Sequence, residues 1–331
     1  MDSRAIGKDQ RKVFPLGIRA MSFSDFYGAT DEAASHAILH AAIEAGVTHI
    51  DTANVYGMGK SETAIGTFLK ANPGAREHFH IATKGGIRRD GTARSHDNSA
   101  EYLAAELDAS LTRLGVEAVD LLYVHRRDKT IPIEEVTGTL AGFVQAGKVK
   151  SIGYSEIAPS SLRRAHSVHP VAAVQSEYSL STRAPELGLV QTCAELGTAL
   201  VAFSPIGRSL LTDNPFSFEA VQNIAFLATN PRFMQPNYDA NIAATDKLRA
   251  LAADMGISTA GLAIAWVLAQ GEHVIAIPGT RSVSHFKELL EGTQRALTPE
   301  DLAAIEAVLP VGWAHGDRYT EAQWAGPERF C

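Results

Sequence analysis

Three ionisable side chains close short apolar runs in this chain. Asp51 ends the run 47–51, Lys84 ends 78–84 and His125 ends 119–125. A phenol, Tyr56, follows Asp51 by five residues and precedes Gly57. Packing gives no reason to end a buried run on a charge, because burying one is costly. In a barrel of parallel strands such ends all face one rim, where chemistry is done. A carboxylate, a phenol, an ammonium and an imidazole gathered there make a proton-transfer site. A free phenol is a poor acid at neutral pH, but a nearby ammonium stabilises the phenolate left when its proton departs. A carboxylate fixes that ammonium, and an imidazole can hydrogen-bond to an oxygen gaining negative charge. Asp51, Tyr56, Lys84 and His125 are therefore the candidate anchor, acid, tuner and polariser. The set suits protonation of a carbonyl oxygen as a hydride reaches its carbon. No side chain supplies hydride, so a redox cofactor is implied.

The elements that position these groups are legible as a repeat. Eight runs read as strands: 16–21, 47–51, 78–84, 119–125, 149–155, 172–177, 199–203 and 273–277. Most are continuously apolar, as strands buried on both faces are. Helical segments separate nearly all of them, and Gly46, Gly115, Gly147 and Gly197 mark helix ends before strands. Asn98-Ser99-Ala100-Glu101 has capping-box spacing with Asn98 as the cap, and Pro132 and Pro159 fall in first turns. The pattern predicts an α/β fold, a (β/α)8 TIM barrel, as a single domain over residues 1–331. The alternative, a doubly wound open sheet, lacks a nucleotide fingerprint at the start of the chain. A long irregular stretch, 206–241, follows the seventh strand and is a candidate lid or binding loop. The tail past Pro310 carries Trp313, Tyr319 and Trp324 and is expected to dock on the body, over the active rim or elsewhere.

Composition excludes several classes. The chain has 331 residues and a formal net charge of -7, against the basic face that nucleic acid requires. At 45% hydrophobic residues, it is large enough to build a core without a metal or disulfide staple. No apolar run is long enough to span a bilayer. Met1-Asp2-Ser3-Arg4 leads into no apolar stretch, and the cysteines are Cys193 and Cys331 alone, so a cytoplasmic location is expected. His36 and His40 lie one helical turn apart, but no third ligand follows, and no metal site is expected. Gly57-Met58-Gly59-Lys60-Ser61 ends like a phosphate loop, yet Asn54 stands where its first glycine is required.

In order along the chain, Asp51-Thr52-Ala53-Asn54-Val55-Tyr56-Gly57, Ala82-Thr83-Lys84, Asp120-Leu121-Leu122-Tyr123-Val124-His125, Gly153-Tyr154-Ser155-Glu156, Gln175-Ser176-Glu177-Tyr178-Ser179, Phe203-Ser204-Pro205-Ile206-Gly207-Arg208 and Ile277-Pro278-Gly279-Thr280-Arg281 together resemble the aldo-keto reductases. Glu156 and His125-Arg126 are most similar to the bacterial branch with pyridoxal-reductase-like and auxin-induced-like members. The resemblance implies a barrel that binds NADPH extended across its C-terminal rim, with Tyr56 as proton donor and Asp51, Lys84 and His125 completing a tetrad. It implies that Ser155 and Gln175 hold the nicotinamide carboxamide and that Phe203 stacks on the ring. Ser204, Ile206 and Arg208 would meet the pyrophosphate, and Gly279, Thr280 and Arg281 the adenosine phosphate. Met21, Glu156, Pro205, His285 and Glu288 complete the expected cofactor contacts. Three positions depart from the family pattern: Glu156 replaces a common asparagine, Leu289 follows Glu288 where asparagine is favoured, and His285 stands in place of a longer basic or amide side chain. NADP(H) in preference to NAD(H) therefore rests mainly on Arg281.

The implied activity is reduction of a small aldehyde or ketone, or oxidation of the alcohol, with no nucleic-acid or membrane partner. Barrel helices give no self-pairing pattern from which to read an oligomeric state. Phe23, Phe26, Tyr27, Tyr123, the 206–241 stretch and the tail are the expected pocket walls. Arg126 and Arg127 read as solvated rim arginines, with an anionic substrate as the alternative. Two other functions fit the same residues: a Schiff-base aldolase using Lys84, which the neighbouring Asp51 opposes, and a non-catalytic NADPH-binding regulatory subunit.

Overall fold

A computed structural model describes residues 2–7, 11–90, 93–329 and 331. Eight strands carry the architecture: β1 (Ile18–Arg19), β2 (His49–Asp51), β3 (His80–Gly85), β4 (Leu121–Val124), β5 (Ile152–Ser155), β6 (Val171–Glu177), β7 (Ala199–Phe203) and β8 (Val274–Ile277). Each pairs in parallel with the next, in chain order. The ends of the row also meet: Gly17 N donates to Ala276 O at 2.8 Å and Arg19 N to Pro278 O at 3.0 Å. The sheet thus closes into the expected (β/α)8 barrel. Around it lie α1 (Glu32–Glu44), α2 (Lys60–Ala71), α3 (Ala100–Leu114), α4 (Ile133–Gln145), α5 (Pro159–Val168), α6 (Leu189–Leu196), α7 (Asn237–Asp254), α8 (Thr259–Leu268), α9 (Val283–Gln294) and α10 (Pro299–Val308). Among the described residues no single helix is long and apolar enough to cross a membrane.

Strand parity separates two layers of core. Ile81, Leu122, Val174, Leu200 and Val274 pack outward under the helices. Their neighbours Ala82, Leu121, Tyr123, Ala173, Val201, Phe203 and Ile275 form a separate cluster inside the barrel. A strand sends successive side chains to opposite faces, so the inward set continues at every second residue toward the rim. Gly153 is the inward residue beside Tyr123; a Cβ there would lie 2.6 Å from the Tyr123 ring.

Local readings need some correction. Ser99, not Asn98, caps α3, accepting from Tyr102 N at 3.3 Å. Asn98 instead reaches across to the loop after β4, donating to Arg126 O at 3.1 Å and accepting from Asp128 N at 2.7 Å. The 206–241 stretch holds short helices at Phe218–Gln222 and Ala225–Ala228, and α7 begins within it. Leu210, Val221, Leu227, Phe233 and Tyr238 give it a small core of its own. Two antiparallel hairpins lie outside the eight-strand reading. Arg4–Ala5 with Lys12–Val13 is tied by Arg4 to the carbonyls of Leu268 and Gly271, at 2.8 and 2.9 Å. Ile87–Asp90 with Ala93–His96 follows β3. His36 and His40 pack edge-on against Phe68, ring centroids 5.2 and 4.9 Å away.

Two buried imidazoles face each other at the N-terminal ends of β2 and β3, with His49 Nδ1 and His80 Nδ1 3.1 Å apart. Burial, then the proximity of His49, pushes His80 down to about 3, and burial lowers His49 as well. The unfolded chain binds these protons near pH 6.5 and the native barrel does not. Stability is therefore full above about pH 6.5 and falls as pH drops toward the native values, by up to about 1.4 kcal/mol per pH unit for each histidine. Urea midpoints measured from pH 7.5 to pH 5 are expected to decline for the parent and to decline less steeply for His80→Asn.

Candidate active site

The rim site is made of the uppermost inward residues of successive strands: Arg19 on β1, Asp51 on β2, Lys84 on β3, His125 just past β4, Ser155 on β5 and Phe203 on β7. Gln175 sits inward on β6, one step below the top. Asp51 and Lys84 are both buried and form an ion pair through Oδ1 and Nζ. The other oxygen of Asp51 accepts from Gln175 Nε2 at 2.7 Å. Lys84 Nζ also donates to Thr52 O at 2.7 Å and to Tyr56 Oη at 3.2 Å. An ammonium has three donors, and each of these has an acceptor. The His125 ring lies edge-on to the Tyr56 ring, centroids 5.8 Å apart. Asp51, Lys84, Tyr56 and His125 are thus brought together at one rim.

Tyr56 is not on a strand, and the loop after β2 must bring it in. Thr52 N donates to Ala82 O at 2.9 Å and Asn54 N to Lys84 O at 3.3 Å, extending the β2–β3 pairing past the last residue of β2. Ser61 then pins the loop from α2, its Oγ donating to Ala20 O and meeting Thr52 Oγ1, both at 2.8 Å. Gly57 takes a left-handed φ of 61°, and a Cβ on it would meet Ser24 Cβ at 2.9 Å. That position requires glycine for both conformation and space.

Arg19 is a member of the site that the sequence reading left out. Its Nε donates to Tyr56 Oη at 3.4 Å, and its guanidinium lies 4.6 Å above the Phe203 ring. Burial would lower its pKa, but Tyr56, Tyr27 and Asp51 outweigh that and raise it. It is a permanent cation. Strand parity was the signal: Arg19 is two residues past the inward Gly17, as Asp51 is two past His49. The guanidinium rests on an aromatic face of Phe203, the ring expected to stack with nicotinamide.

The remaining sequence candidates divide into those lining a cleft and those beneath it. One cavity of about 290 Å³ holds Tyr56, His125 and Phe203, walled by Phe26, Tyr27 and Tyr319. A second of about 310 Å³ runs on toward β8 and α9. They share Arg19, Met21, Tyr27 and Arg208, so together they form one elongated cleft. Ser204, Pro205, Ile206, Gly279, Thr280, Arg281, His285 and Glu288 all line the second part. Its far end meets the N-terminus of α9, where Ser282 is the cap, an arrangement that favours a phosphate. An elongated groove with arginines and a helix N-terminus along it fits an extended cofactor that carries phosphate groups. Ser155 lies beneath, accepting from Arg126 at 2.9 Å. Gln175 is likewise engaged with Asp51.

Glu156 is not in the cleft. It is fully buried behind β5 at a φ of 60°, paired with Arg318 at 2.7 Å and accepting from Glu177 N at 2.8 Å. Burial would raise its pKa, but Arg318 and Arg126 bring it down. Glu177 is held low in the same way by Arg208 at 2.5 Å, with Arg318 and Arg232 at 3.7 Å. Arg208 therefore enters the cleft already neutralised. Phe23 and Tyr123 are not pocket walls either: Phe23 is in the outer core and Tyr123 inside the barrel. Arg126 and Arg127 are buried, not solvated. Arg127 turns away to Ile131 O at 2.7 Å and Glu328 at 3.5 Å, whereas Arg126 lines the cavity with His125.

The tail settles over this rim. Arg318 anchors it on Glu156, Trp313 Nε1 donates to Leu180 O at 2.8 Å, and Glu328 accepts from Ala158 N at 2.8 Å. Tyr319 and Gln323 reach the Tyr56 cavity. Of the two places the tail could dock, it takes the rim that holds the candidate site.

The sequence matches the family model described as Aldo/keto reductase family over residues 15–310. It is 38% identical over 316 residues to "Probable aldo-keto reductase 1" of Glycine max, covering 95% of this chain and 90% of that one. Among solved structures it is similar to the glycerol dehydrogenase AKR11B4 from Gluconobacter oxydans, with TM-score 0.81, 28% identity and coverage of 93% and 94%. It is also similar to the thermostable aldo-keto reductase Tm1743, solved in complex with the inhibitor epalrestat, with TM-score 0.73, 27% identity and coverage of 93% and 100%.

Removing one partner of a buried charge pair leaves the other uncompensated, at about 3–5 kcal/mol. Arg318→Met is expected to lower stability by that order, because Glu156 and Glu177 lose a shared cation. Glu156→Gln in the same chain should restore part of the loss, as read by urea denaturation.

Proposed function

The chain belongs to the aldo/keto reductase family, and from that premise we propose that it reduces small aldehydes or ketones with NADPH, Tyr56 being the proton donor. The observation that carries this reading is the hydrogen bonding of one oxygen. Tyr56 Oη accepts N–H groups from Lys84 at 3.2 Å and Arg19 at 3.4 Å. A phenol oxygen has two acceptor sites and one proton. With both acceptor sites turned toward cations, the proton is left to donate into the cavity. A carbonyl oxygen in hydrogen-bond reach of Tyr56 also lies beside His125, whose imidazole polarises it. As the carbonyl oxygen takes the Tyr56 proton, the phenolate left behind faces two cations, and that charge is stabilised where it develops.

NADPH, when bound, supplies the hydride that reaches the carbonyl carbon. Phe203, Ser155 and Gln175 would hold its nicotinamide, with Arg19 moving off the Phe203 face or sharing it. Gln175 keeps its amide nitrogen on Asp51, which leaves its oxygen side as the acceptor for a carboxamide. Ser204, Ile206 and the α9 N-terminus would hold the phosphates, with Arg208 beside them kept in its pair with Glu177. Arg281 lines the far end of the cleft and suits a terminal phosphate by its planar fork. Glu288 lines the same end and opposes one, so the choice of NADPH rests on Arg281. The aldolase reading has less support: a Schiff base needs a free amine, and Lys84 has three partners, one of them a carboxylate.

Tyr56→Phe is expected to lower kcat at least about a hundredfold, the usual scale for general acid catalysis, with cofactor binding retained by fluorescence titration. A variant that reduces a reactive aldehyde as fast as the parent would overturn the role of Tyr56. Arg281→Ala should raise the KM for NADPH about ten- to a hundredfold, matching one charge-assisted hydrogen bond, and leave that for NADH nearly unchanged.

A further inference from the structure

We propose that the substrate carries an anionic group, a carboxylate or phosphate, bound by Arg126 and Arg89 beside the reacting carbonyl. The proposal rests on the reading of Tyr56 as proton donor and names the class of carbonyl compound its cavity takes.

The chain as a whole is acidic, with 37 Asp and Glu against 30 Lys and Arg. The cavity holding Tyr56 and His125 is the opposite: among the described residues four arginines line it, Arg19, Arg89, Arg126 and Arg208, and no carboxylate does. Arg208 is neutralised by Glu177, and Arg19 is shared with the second part of the cleft. Arg89 and Arg126 line only the part with Tyr56 and His125. Arg126 is buried, yet its guanidinium donates to neutral oxygens, His125 O at 2.6 Å and Ser155 Oγ at 2.9 Å. Among the described residues neither Arg89 nor Arg126 has an ion-pair partner, whereas the adjacent Arg88 and Arg127 both do, with Asp97 and Glu328.

Burying a guanidinium with no carboxylate in ion-pair contact costs several kcal/mol, and Glu156, which acts on Arg126 through space, is itself in contact with Arg318. A fold that keeps Arg126 so, one residue from His125, has a site ready for a charge supplied from outside. The fork of an arginine matches both carboxylate and phosphate. Arg89 reaches the same cavity from the Ile87–Asp90 hairpin strand. Gln323 of the docked tail adds an amide to its wall. At about 290 Å³ the cavity is at the small end of ligand sites, which points to a short carbonyl compound with its anion a few bonds from the reacting carbon. The reduction leaves that anion unchanged.

The test compares matched aldehydes within each protein, using NADPH. Succinic semialdehyde against butanal reads a carboxylate, and glyceraldehyde 3-phosphate against glyceraldehyde reads a phosphate. In the parent, kcat/KM is expected to be at least tenfold higher for the anionic member of one pair, and that pair identifies the anion. The ratio should fall at least tenfold in Arg126→Gln and in Arg89→Gln. Arg89 is exposed, so its variant remains informative if Arg126→Gln folds poorly. Added sodium chloride should raise the KM of the anionic member more than that of the neutral one. Ratios near one in both pairs, or ratios unchanged in Arg89→Gln, with Tyr56-dependent turnover intact, would overturn the anion site and leave the reductase reading standing. If none of the four aldehydes turns over, the reductase reading falls, and calorimetry of benzoate against benzyl alcohol, with and without NADP+, decides the site. Benzoate bound at least tenfold tighter, and weakened in Arg89→Gln, upholds it; equal binding overturns it.

Discussion

The pair of opposite charges that Asp51 and Lys84 place inside the barrel is the constraint around which this rim is arranged. Either charge alone would be buried at a cost of several kcal/mol. Together they are tolerable only because each has further partners: Gln175 for the carboxylate, and Thr52 O and Tyr56 for the ammonium. Those partners come from β6 and from the loop after β2, so strand register across the barrel has to be right before the pair is satisfied. In return the pair fixes Lys84 Nζ to within 3.2 Å of the phenol that it serves. The same contacts that make the charges tolerable to bury hold the Tyr56 hydroxyl beside the ammonium, as the proposed proton transfer requires.

A second set of charges surrounds the first and has a different purpose. Glu156 and Glu177 are buried at the ends of β5 and β6, bridged by Arg318 from the tail, with Arg208 and Arg232 from the stretch after β7. This network ties the tail and the long loop to the barrel, and both then supply walls to the cleft. It also sorts the arginines electrostatically. Arg208 and Arg318 are balanced by Glu177 and Glu156 and contribute mainly structure, whereas Arg19 and Arg126 carry their charge into the cavity.

Much of this could be read from residue order. The barrel followed from eight apolar runs punctuated by helix-ending glycines. Asp51, Lys84 and His125 were visible because each is a polar residue closing an apolar run, and parity puts all three inward. The rest was hidden for physical reasons. Arg19 belongs to a strand of only two residues, since the chain turns into a 3-10 helix at Ala20–Phe23, and its run seemed to continue to Met21. Glu156 follows an inward serine, but its left-handed backbone swings the side chain out of the cleft. The 206–241 stretch lacks periodicity because its short helices pack on one another. The tail could not be placed because its anchor, Arg318, is an unremarkable arginine until Glu156 and Glu177 are seen buried opposite it.

The central claim is that Asp51 and Lys84 act as one unit on Tyr56. A double-mutant cycle on kcat, with Asp51→Asn, Lys84→Met and the combined variant, tests it most directly, with cofactor binding checked in each by fluorescence. Groups that act as a unit are strongly non-additive. The combined variant is expected to be no slower than Lys84→Met alone, because without the ammonium the carboxylate has nothing left to position. Losses that multiply, the double variant being slower by the product of the two single effects, would show independent roles and contradict the account.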